Sequence, residues 1–162
     1  QIILDSTDLS KIKKESYDLI LSSHALEHLA NPLKALFEWY RVLKPNGYIL
    51  IVVPDRRYTY DRLRPLTKFK HILNDYNSNI GEDDKTHFNE VLDLHDLTND
   101  GTVFSYTEHK RRTLNNFKTR IVHHHTFDNK LLNDLLIHVG FKIIDNQIFR
   151  PYHIVAVAKK ND

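Results

Sequence analysis

Residues 17–54 read YDLILSSHALEHLANPLKALFEWYRVLKPNGYILIVVP, and this stretch decides the fold. It begins and ends with apolar runs of strand length, at residues 17–23 and 48–53, of the kind that a parallel sheet covers on both faces. Between the runs, Asn31 offers a helix cap, Pro32 suits the first helical turn, and apolar residues recur at helical spacing. The helix is predicted to stop at the KPNG that follows, so the stretch forms a strand–helix–strand unit with parallel strands.

Three short motifs follow one another within this stretch: LEH at residues 26–28, NP at residues 31–32 and RVLKPNG at residues 41–47. In this order and spacing they resemble the second half of a class I S-adenosylmethionine-dependent methyltransferase. In that family the corresponding motifs usually have the sequences LEH, DP and RVLKPGG. The resemblance implies a Rossmann-like α/β sandwich with S-adenosylmethionine as its cofactor. It also implies methyl transfer to an acceptor as the activity.

Composition and charge exclude several other classes of protein. The chain has 162 residues, enough for one domain with its own core, and no cysteine, which excludes disulfides and thiolate metal sites. The net charge of +2 is too small to indicate a nucleic-acid-binding surface. No apolar run approaches the length of a membrane span, and no signal-peptide pattern occurs. We therefore expect a cytoplasmic protein without a nucleic-acid or membrane partner, and the sequence does not predict its oligomeric state.

Glycine content indicates which part of such a domain the sequence covers. Class I methyltransferases begin with a strand and a glycine-rich turn that lies against the cofactor. This chain has four glycines, none of them in a G-x-G pair, and it has no methionine. We interpret residues 1–162 as the C-terminal part of a methyltransferase domain that lacks its first strands, and we expect this part to be inactive alone.

Residues 55–125 are predicted to form a mostly helical insertion. Apolar residues recur there at helical spacing over residues 66–76. A further amphipathic helix is predicted at residues 127–139, ended by a glycine. Two strands follow, at residues 141–146 and 152–159. The resemblance implies that they form a C-terminal β-hairpin whose last strand runs antiparallel to its neighbours in the sheet.

Four residues are predicted to bind the cofactor: Asp5, Ser6, Ser22 and Ser23. By the resemblance, the Asp5 carboxylate accepts a hydrogen bond from the adenine amino group, and the backbone N–H of Ser6 contacts the ring. An alternative role for Asp5 is to cap the turn that follows it. Ser22 and Ser23 end the first predicted strand, where a doubly wound sheet opens toward its ligands.

Three histidines are predicted to be catalytic: His24, His123 and His125. His24 directly follows Ser23 and is expected to line the methyl-transfer pocket. The other two lie in the insertion, which contains seven of the eleven histidines of the chain: His71, His87, His95, His109, His123, His124 and His125. If residues 123–125 are extended, side chains alternate along them, and His123 and His125 point the same way with His124 opposite.

The insertion histidines have three interpretations. They can be incidental residues of a solvated surface. They can supply a general base with a positioning network, because removal of a hydroxyl or amine proton needs a titratable group within hydrogen-bond reach. They can bind zinc or iron through His123 and His125 with His87 or Asp75, although the spacing matches no established signature. His71 and Asp75, four residues apart on a predicted helix, share one face. No residue is assigned to a metal on this basis.

The predicted reaction is transfer of the methyl group of S-adenosylmethionine to an oxygen or nitrogen of a small-molecule or glycan-like acceptor. The sulfonium already carries a reactive methyl group, so the protein has to supply alignment and proton removal. The run RRYTYDRLR at residues 56–64 offers arginines for an anionic acceptor, or for pairing with Asp55 and Asp61. The alternative function is a non-catalytic binding module that keeps the fold without the cofactor.

Overall fold

A four-stranded mixed sheet organises the structure, a computed structural model that describes residues 3–102 and 105–162. The strands lie in the order β1-β2-β4-β3. β1 and β2 are parallel, and β4 is antiparallel to both β2 and β3, as predicted for the last strand. Their bounds are Tyr17–Ser23 for β1, Leu43–Pro54 for β2, Phe141–Phe149 for β3 and His153–Lys160 for β4.

The described part of the chain has six α-helices, of which the first and the last contact the strands of the sheet. One helix joins β1 to β2, four lie within the predicted insertion, and the last precedes the C-terminal hairpin. In chain order they are α1 (Pro32–Val42), α2 (Phe69–Asn77), α3 (Phe88–Leu94), α4 (Tyr106–Leu114), α5 (Asn116–Thr119) and α6 (Asn129–Val139). None of the described helices combines the length and the apolar character that crossing a membrane requires. The fold is therefore the predicted α/β sandwich with a mostly helical insertion and a C-terminal β-hairpin.

Local capping signals fix the ends of the two helices that pack on the sheet. Asn31 Oδ1 accepts a hydrogen bond from the Lys34 backbone N–H at 3.1 Å, and Pro32 occupies the first helical position of α1. The Asp128 carboxylate caps α6 in the same way. Gly140 ends α6 with a φ of 110°, a left-handed conformation that favours glycine.

The main core lies between the sheet and two helices, α1 and α6, which also contact each other. Alternate residues of β2 and β4 point into it, as expected for strands with one face covered by helices. The fully buried core residues of these elements are Leu33, Ala35, Leu36, Leu43, Ile49, Ile51, Val53, Leu132, Leu135, Leu136, Ile154 and Ala158. Burial of each leucine or isoleucine contributes about 1.5–3 kcal/mol to stability.

The prediction that β1 is covered on both faces is wrong for the described residues. Leu19 and Leu21 are 51% and 68% exposed, whereas the intervening Ile20 packs against the core. β1 is the outermost strand in the sheet order, and its apolar run reflects only one covered face here. Strand boundaries also differ from the prediction. β2 begins at Leu43 rather than at residue 48, because Leu43 already pairs with Tyr17 of β1. The register then shifts, and the pairing continues from Leu19 and Tyr48.

The backbone bends at residues 124 and 125, so the extended conformation on which the alternation of these three side chains depends does not occur there. The backbone N–H groups of His124 and His125 both point to the Glu27 carbonyl oxygen, at 2.8 and 3.5 Å. The rings of His124 and His125 consequently lie near the same neighbour, His87, with centroids 5.9 and 5.1 Å away. The His123 ring packs instead against His28, at 4.6 Å. His123 and His125 therefore have different surroundings.

Candidate functional site

A cavity of 430 Å³ lies where β1 and β2 end, and we refer to it as the edge cavity. The segment after β1, the insertion and the turn between β3 and β4 each contribute to its wall. Its lining residues include His24, Glu27, His28, Tyr58, Thr59, Tyr60, Asp100, His123 and Tyr152. The insertion therefore covers the carboxyl ends of the parallel strands, where α/β proteins bind their ligands.

His24 enters the edge cavity from the end of β1. Its backbone has a φ of 49°, in the left-handed region that is uncommon for a residue with a side chain, and its N–H donates to the Val52 carbonyl at 2.9 Å. The ring Nε2 lies 3.0 Å from Nδ1 of His153, and Nδ1 lies 3.4 Å from a Glu27 carboxylate oxygen. These contacts fix a partly exposed imidazole at the predicted position.

Tyr60, His123 and Asp61 form a hydrogen-bonded chain beside the same cavity. Nδ1 of His123 lies 2.5 Å from Asp61 Oδ2, and Nε2 lies 2.8 Å from the Tyr60 hydroxyl. Since an ionised carboxylate only accepts, Nδ1–H donates to Asp61, and Nε2 is left to accept from Tyr60. This arrangement gives His123 the tautomer that a general base needs.

Burial and neighbouring charges keep Asp61 and Tyr60, the two ends of the hydrogen-bonded chain, in fixed protonation states. Burial alone would raise the pKa of Asp61, but the His123 ring and the Arg64 guanidinium outweigh it and lower the pKa to about 2. Burial and the Asp61 carboxylate raise the pKa of the Tyr60 hydroxyl well above its ordinary value. Asp61 is thus charged and Tyr60 is a neutral donor throughout the physiological range.

We expect the charged state of Asp61 to make stability depend on acid pH. A carboxyl whose pKa is lower in the folded state stabilises the fold above its unfolded pKa, and this stability is lost as the pH falls through the folded pKa. For Asp61 the loss amounts to about 2 kcal/mol between roughly pH 4 and pH 2. Urea denaturation across this window should give a shallower pH dependence for Asp61→Asn than for the wild type. Asp83→Asn, at an exposed site, serves as the control, and equal slopes for all three proteins would refute the expectation.

Glu27 places a buried carboxylate at the wall of the edge cavity. The residue is fully buried, and neither carboxylate oxygen has a hydrogen-bond partner in the described part of the chain. Its nearest ionisable neighbours are His24, at 3.4 Å, and His28, at 3.9 Å. Leaving a buried carboxylate unpaired is costly, so Glu27 is disposed to accept a hydrogen bond from an O–H or N–H group of a ligand.

Three of the four predicted cofactor residues line a second cavity, which we call the strand hollow. Its volume is 480 Å³, and Ser6, Ser22 and Ser23 share its wall with Leu21 and Trp39. The Ser22 hydroxyl is buried and has no hydrogen-bond partner among the residues described. Ser23 and Ala25 line the strand hollow, whereas His24 lines the edge cavity. Neighbouring residues at the end of β1 therefore line different cavities.

Asp5, the fourth predicted cofactor residue, caps a turn. Its Oδ1 accepts hydrogen bonds from the backbone N–H of Thr7 at 2.9 Å and from the Thr7 hydroxyl at 2.7 Å. It is not among the residues that line the strand hollow. This geometry corresponds to the capping role, and adenine recognition by Asp5 stays a prediction.

His125, the third predicted catalytic residue, lies outside the edge cavity. Its side chain is fully buried, and its Nε2 lies 3.2 Å from the Ala30 carbonyl oxygen. The surrounding rings belong to His71 and His87, with centroids 5.7 and 5.1 Å away. The structure thus brings His24 and His123 to one cavity and separates His125 from both.

Among the residues that the structure describes, two clusters of side chains have the spacing to hold a metal ion. The first consists of His71, Asp75, His87 and His125, and the second of Glu27, His28 and His123. In each cluster the donor atoms lie within 4.8 Å of one another. Burial lowers the pKa of His87 and of His125, which favours the neutral imidazole that binds metals. Burial also raises the pKa of Asp75, against the effect of His71.

All four arginines of residues 56–64 bind groups of the protein itself. The Arg56 guanidinium donates to the backbone carbonyls of Arg62 and Arg64. The others form ion pairs: Arg57 with Asp55, Arg62 with Asp96, and Arg64 with Asp61 and Glu90. Of the two interpretations of this run, the structure favours internal pairing over the binding of an anionic acceptor.

Sequence reasoning did not assign a role in the site to Tyr60, Asp61, Glu27 or His153. Tyr60 and Asp61 stand in the arginine-rich run, and Glu27 stands in the LEH motif, so each was near a recognised signal. Tyr60 and His123 are 63 residues apart, and no local pattern indicates that they meet. The signal for such a site is a histidine next to a carboxylate in a cleft, and only the tertiary structure reveals that these groups are neighbours.

A family model described as a methyltransferase domain matches residues 2–51. Solved structures with a similar fold include an S-adenosylmethionine-dependent methyltransferase from Mesorhizobium loti, with 16% identity, a TM-score of 0.56, and coverage of 97% of this chain and 67% of that one. An S-adenosylmethionine-dependent methyltransferase from Aquifex aeolicus has 12% identity and a TM-score of 0.51, and the comparison covers 98% of this chain and 53% of that one.

A third similar structure is the 1,6-didemethyltoxoflavin-N1-methyltransferase of Burkholderia thailandensis, with bound 1,6-didemethyltoxoflavin and S-adenosylhomocysteine. It has 16% identity and a TM-score of 0.51, and the comparison covers 99% of this chain and 50% of that one. The comparison with curated proteins gives no match. At these identities the solved structures establish a shared fold, and this chain spans about half the length of several of them.

Proposed function

We propose that this chain, which shares the fold of S-adenosylmethionine-dependent methyltransferases and matches a methyltransferase-domain model at residues 2–51, takes part in methyl transfer to an oxygen or nitrogen of a small-molecule or glycan-like acceptor. One observation carries the proposal. Ser23 and Ala25 line the strand hollow, His24 between them lines the edge cavity, and Tyr60 and His123 of the Tyr60–His123–Asp61 chain line the edge cavity too.

S-adenosylmethionine fits the strand hollow by the chemistry of its wall. Leu21 and Trp39 offer apolar surface, and the buried Ser22 hydroxyl lacks a partner that a polar ligand atom can supply. We assign Ser6, Ser22 and Ser23 to this cofactor, with Asp5 as the residue at its adenine end. When bound, the cofactor supplies a methyl group already activated on a sulfonium.

His123 is the residue that we assign to removal of the acceptor proton. An acceptor hydroxyl or amine in the edge cavity replaces the Tyr60 hydroxyl as the donor to Nε2. The proton moves to Nε2, and the Asp61 carboxylate at 2.5 Å stabilises the imidazolium that forms. Tyr60, as a neutral phenol, then remains a hydrogen-bond donor to the acceptor.

Glu27 and His24 orient the acceptor in this proposal. The unpartnered Glu27 carboxylate accepts from a second hydroxyl or amine of the acceptor, and the His24 ring forms the wall next to the strand hollow. The volume of 430 Å³ is in the range of small-molecule sites, which run from about 300 to 1,000 Å³. It accommodates a small molecule or one terminal sugar of a glycan rather than a folded macromolecule.

The proposed function is tested by incubating the full-length protein with S-adenosylmethionine and a panel of hydroxyl and amine compounds that includes sugars. We expect S-adenosylhomocysteine to form only with compounds that enter the edge cavity, and its formation to slow by at least about 100-fold with His123→Ala. Binding of panel compounds without any S-adenosylhomocysteine would contradict the proposal and favour a non-catalytic binding module.

Ser22→Ala is expected to weaken S-adenosylhomocysteine binding about three- to tenfold, the effect of one lost hydrogen bond. Trp39 lines the strand hollow and is the only tryptophan of the chain, so its fluorescence can report the titration. Ser10→Ala, at an exposed site outside both cavities, should bind like the wild type. Equal dissociation constants for Ser22→Ala and the wild type would remove Ser22 from the cofactor site.

A further inference from the structure

We propose that His71, Asp75, His87 and His125 form a zinc site that fastens α2 and the start of α3 to the end of the insertion at residues 123–125. The site is separate from the edge cavity and does not depend on the proposed function. Three imidazoles and one carboxylate make a donor set that suits zinc, whereas Mg²⁺ and Ca²⁺ prefer oxygen ligands.

The spacing of the donor atoms matches a tetrahedron around one ion. Bonds of about 2.0–2.1 Å from zinc to nitrogen or oxygen place neighbouring donors about 3.3–3.4 Å apart. Nε2 of His71 lies 3.1 Å from Nε2 of His87 and 3.3 Å from Asp75 Oδ2. Nε2 of His125 lies 3.8 Å from the same Asp75 oxygen. Small movements of the side chains bring all four donors onto the ion.

The hydrogen bonding of these residues leaves room for a metal. Asp75 Oδ2 is buried without a hydrogen-bond partner in the described part of the chain, so a cation would compensate a carboxylate that the protein leaves unpaired. Two imidazole nitrogens facing each other, as in His71 and His87, share a single proton or a common ion. Zinc binding exchanges the contact of His125 with the Ala30 carbonyl for a coordination bond.

The four ligands come from three separate parts of the chain. His71 and Asp75 are one turn apart on α2, His87 precedes α3, and His125 lies two residues after His123. An ion bound to all four would hold α2, the start of α3 and the segment at residues 123–125 together. With four protein ligands the site is closed, which is typical of structural zinc. It would act on the candidate base, His123, only by fixing its backbone.

The second cluster, Glu27, His28 and His123, is the weaker candidate. Both ring nitrogens of His123 already have partners, Asp61 and Tyr60. Nδ1 of His28 is bonded to the Val122 carbonyl at 3.2 Å. A metal there would have to displace at least one hydrogen bond of the Tyr60–His123–Asp61 chain. The two clusters therefore predict opposite effects of substitutions in each cluster on the affinity for zinc.

The test is zinc binding by the chelator-stripped, full-length protein in competition with a colorimetric chelator. We expect one zinc ion per chain, and binding weaker by at least about 10- to 100-fold for His71→Ala and for Asp75→Asn, because loss of a ligand should cost at least as much as loss of a residue that only hydrogen-bonds to a ligand. His71 is 43% exposed at its side chain, and asparagine keeps the shape of Asp75, so both variants should fold. Circular dichroism checks this.

Two further variants and one spectrum decide between the outcomes. His138→Ala, at an exposed histidine outside both clusters, and His28→Ala, in the second cluster, should bind zinc like the wild type. Cobalt(II) bound in place of zinc should give the intense visible absorption of a four-coordinate ion. Wild-type affinity in both Asp75→Asn and His71→Ala, loss of binding in His28→Ala, or a site that keeps iron(II) but not zinc would each overturn the proposal.

Discussion

Replacing His123 with alanine is expected to lower turnover by ~100- to 10,000-fold while the dissociation constant for S-adenosylhomocysteine stays the same. The reason is the geometry of the Tyr60–His123–Asp61 chain, in which Nε2 of His123 is the acceptor beside the edge cavity. The strand hollow lies on the other side of the end of β1, and His123 does not line it. Turnover is measured as S-adenosylhomocysteine formed with the acceptor that the compound panel identifies.

Two control variants make this result specific. His138→Ala removes an exposed histidine that lines neither cavity and should leave turnover and cofactor affinity unchanged. Tyr60→Phe keeps the ring but removes the donor to Nε2, and it should lower turnover less than His123→Ala does. Unchanged turnover in His123→Ala would show that His123 is not the base. An equal loss of cofactor affinity would indicate a structural role instead.

Arg64→Ala is expected to destabilise the protein by about 3–5 kcal/mol, the usual cost of removing one partner of a buried ion pair. The Arg64 side chain is 1% exposed and donates to Asp61 at 2.7 Å and to Glu90 at 2.9 Å. It also donates to the backbone carbonyls of His123 and His124. Without it, the buried Asp61 charge and the carbonyl of His124 lose a donor. Urea denaturation at pH 7 measures the change in the free energy of unfolding.

Arg62→Ala is the matched control, because Arg62 also pairs with an aspartate but is 50% exposed at its side chain. An exposed ion pair contributes up to about 1 kcal/mol, so the control should lose far less stability than Arg64→Ala. Similar losses for the two variants would mean that Arg64 is not the residue that holds the segment at residues 56–64 to the segment at residues 123–125.

The sequence predicts the frame of the fold because the relevant signals are local. Asn31 and Pro32 at the start of α1 and Gly140 at the end of α6 act through their immediate neighbours, and each does so in the structure. The C-terminal hairpin and its antiparallel last strand were implied by the resemblance, and both are confirmed. The exposed face of β1 could not be predicted, because an apolar run with Leu19 and Leu21 is compatible both with a strand covered on two faces and with a strand covered on one.

The candidate site was predicted in part. His24, Ser22 and Ser23 follow from the rule that ligands bind at the carboxyl ends of parallel strands, and the structure places all three at cavities there. The partners of His123 could not be predicted, because Asp61 reaches it across 62 residues. An extended segment would place His123 and His125 on the same side, but the backbone bends where the N–H groups of His124 and His125 both face the Glu27 carbonyl.

The most direct test of this account is a crystal structure of the full-length protein with S-adenosylhomocysteine. We expect the adenosine part in the strand hollow against Ser6 and Ser22, and the sulfur at the end of β1, facing the edge cavity and His24. That position would put the transferred methyl group on the side where His123 receives the acceptor proton. Electron density for the cofactor outside the strand hollow, or a sulfur that faces away from the edge cavity, would contradict the account.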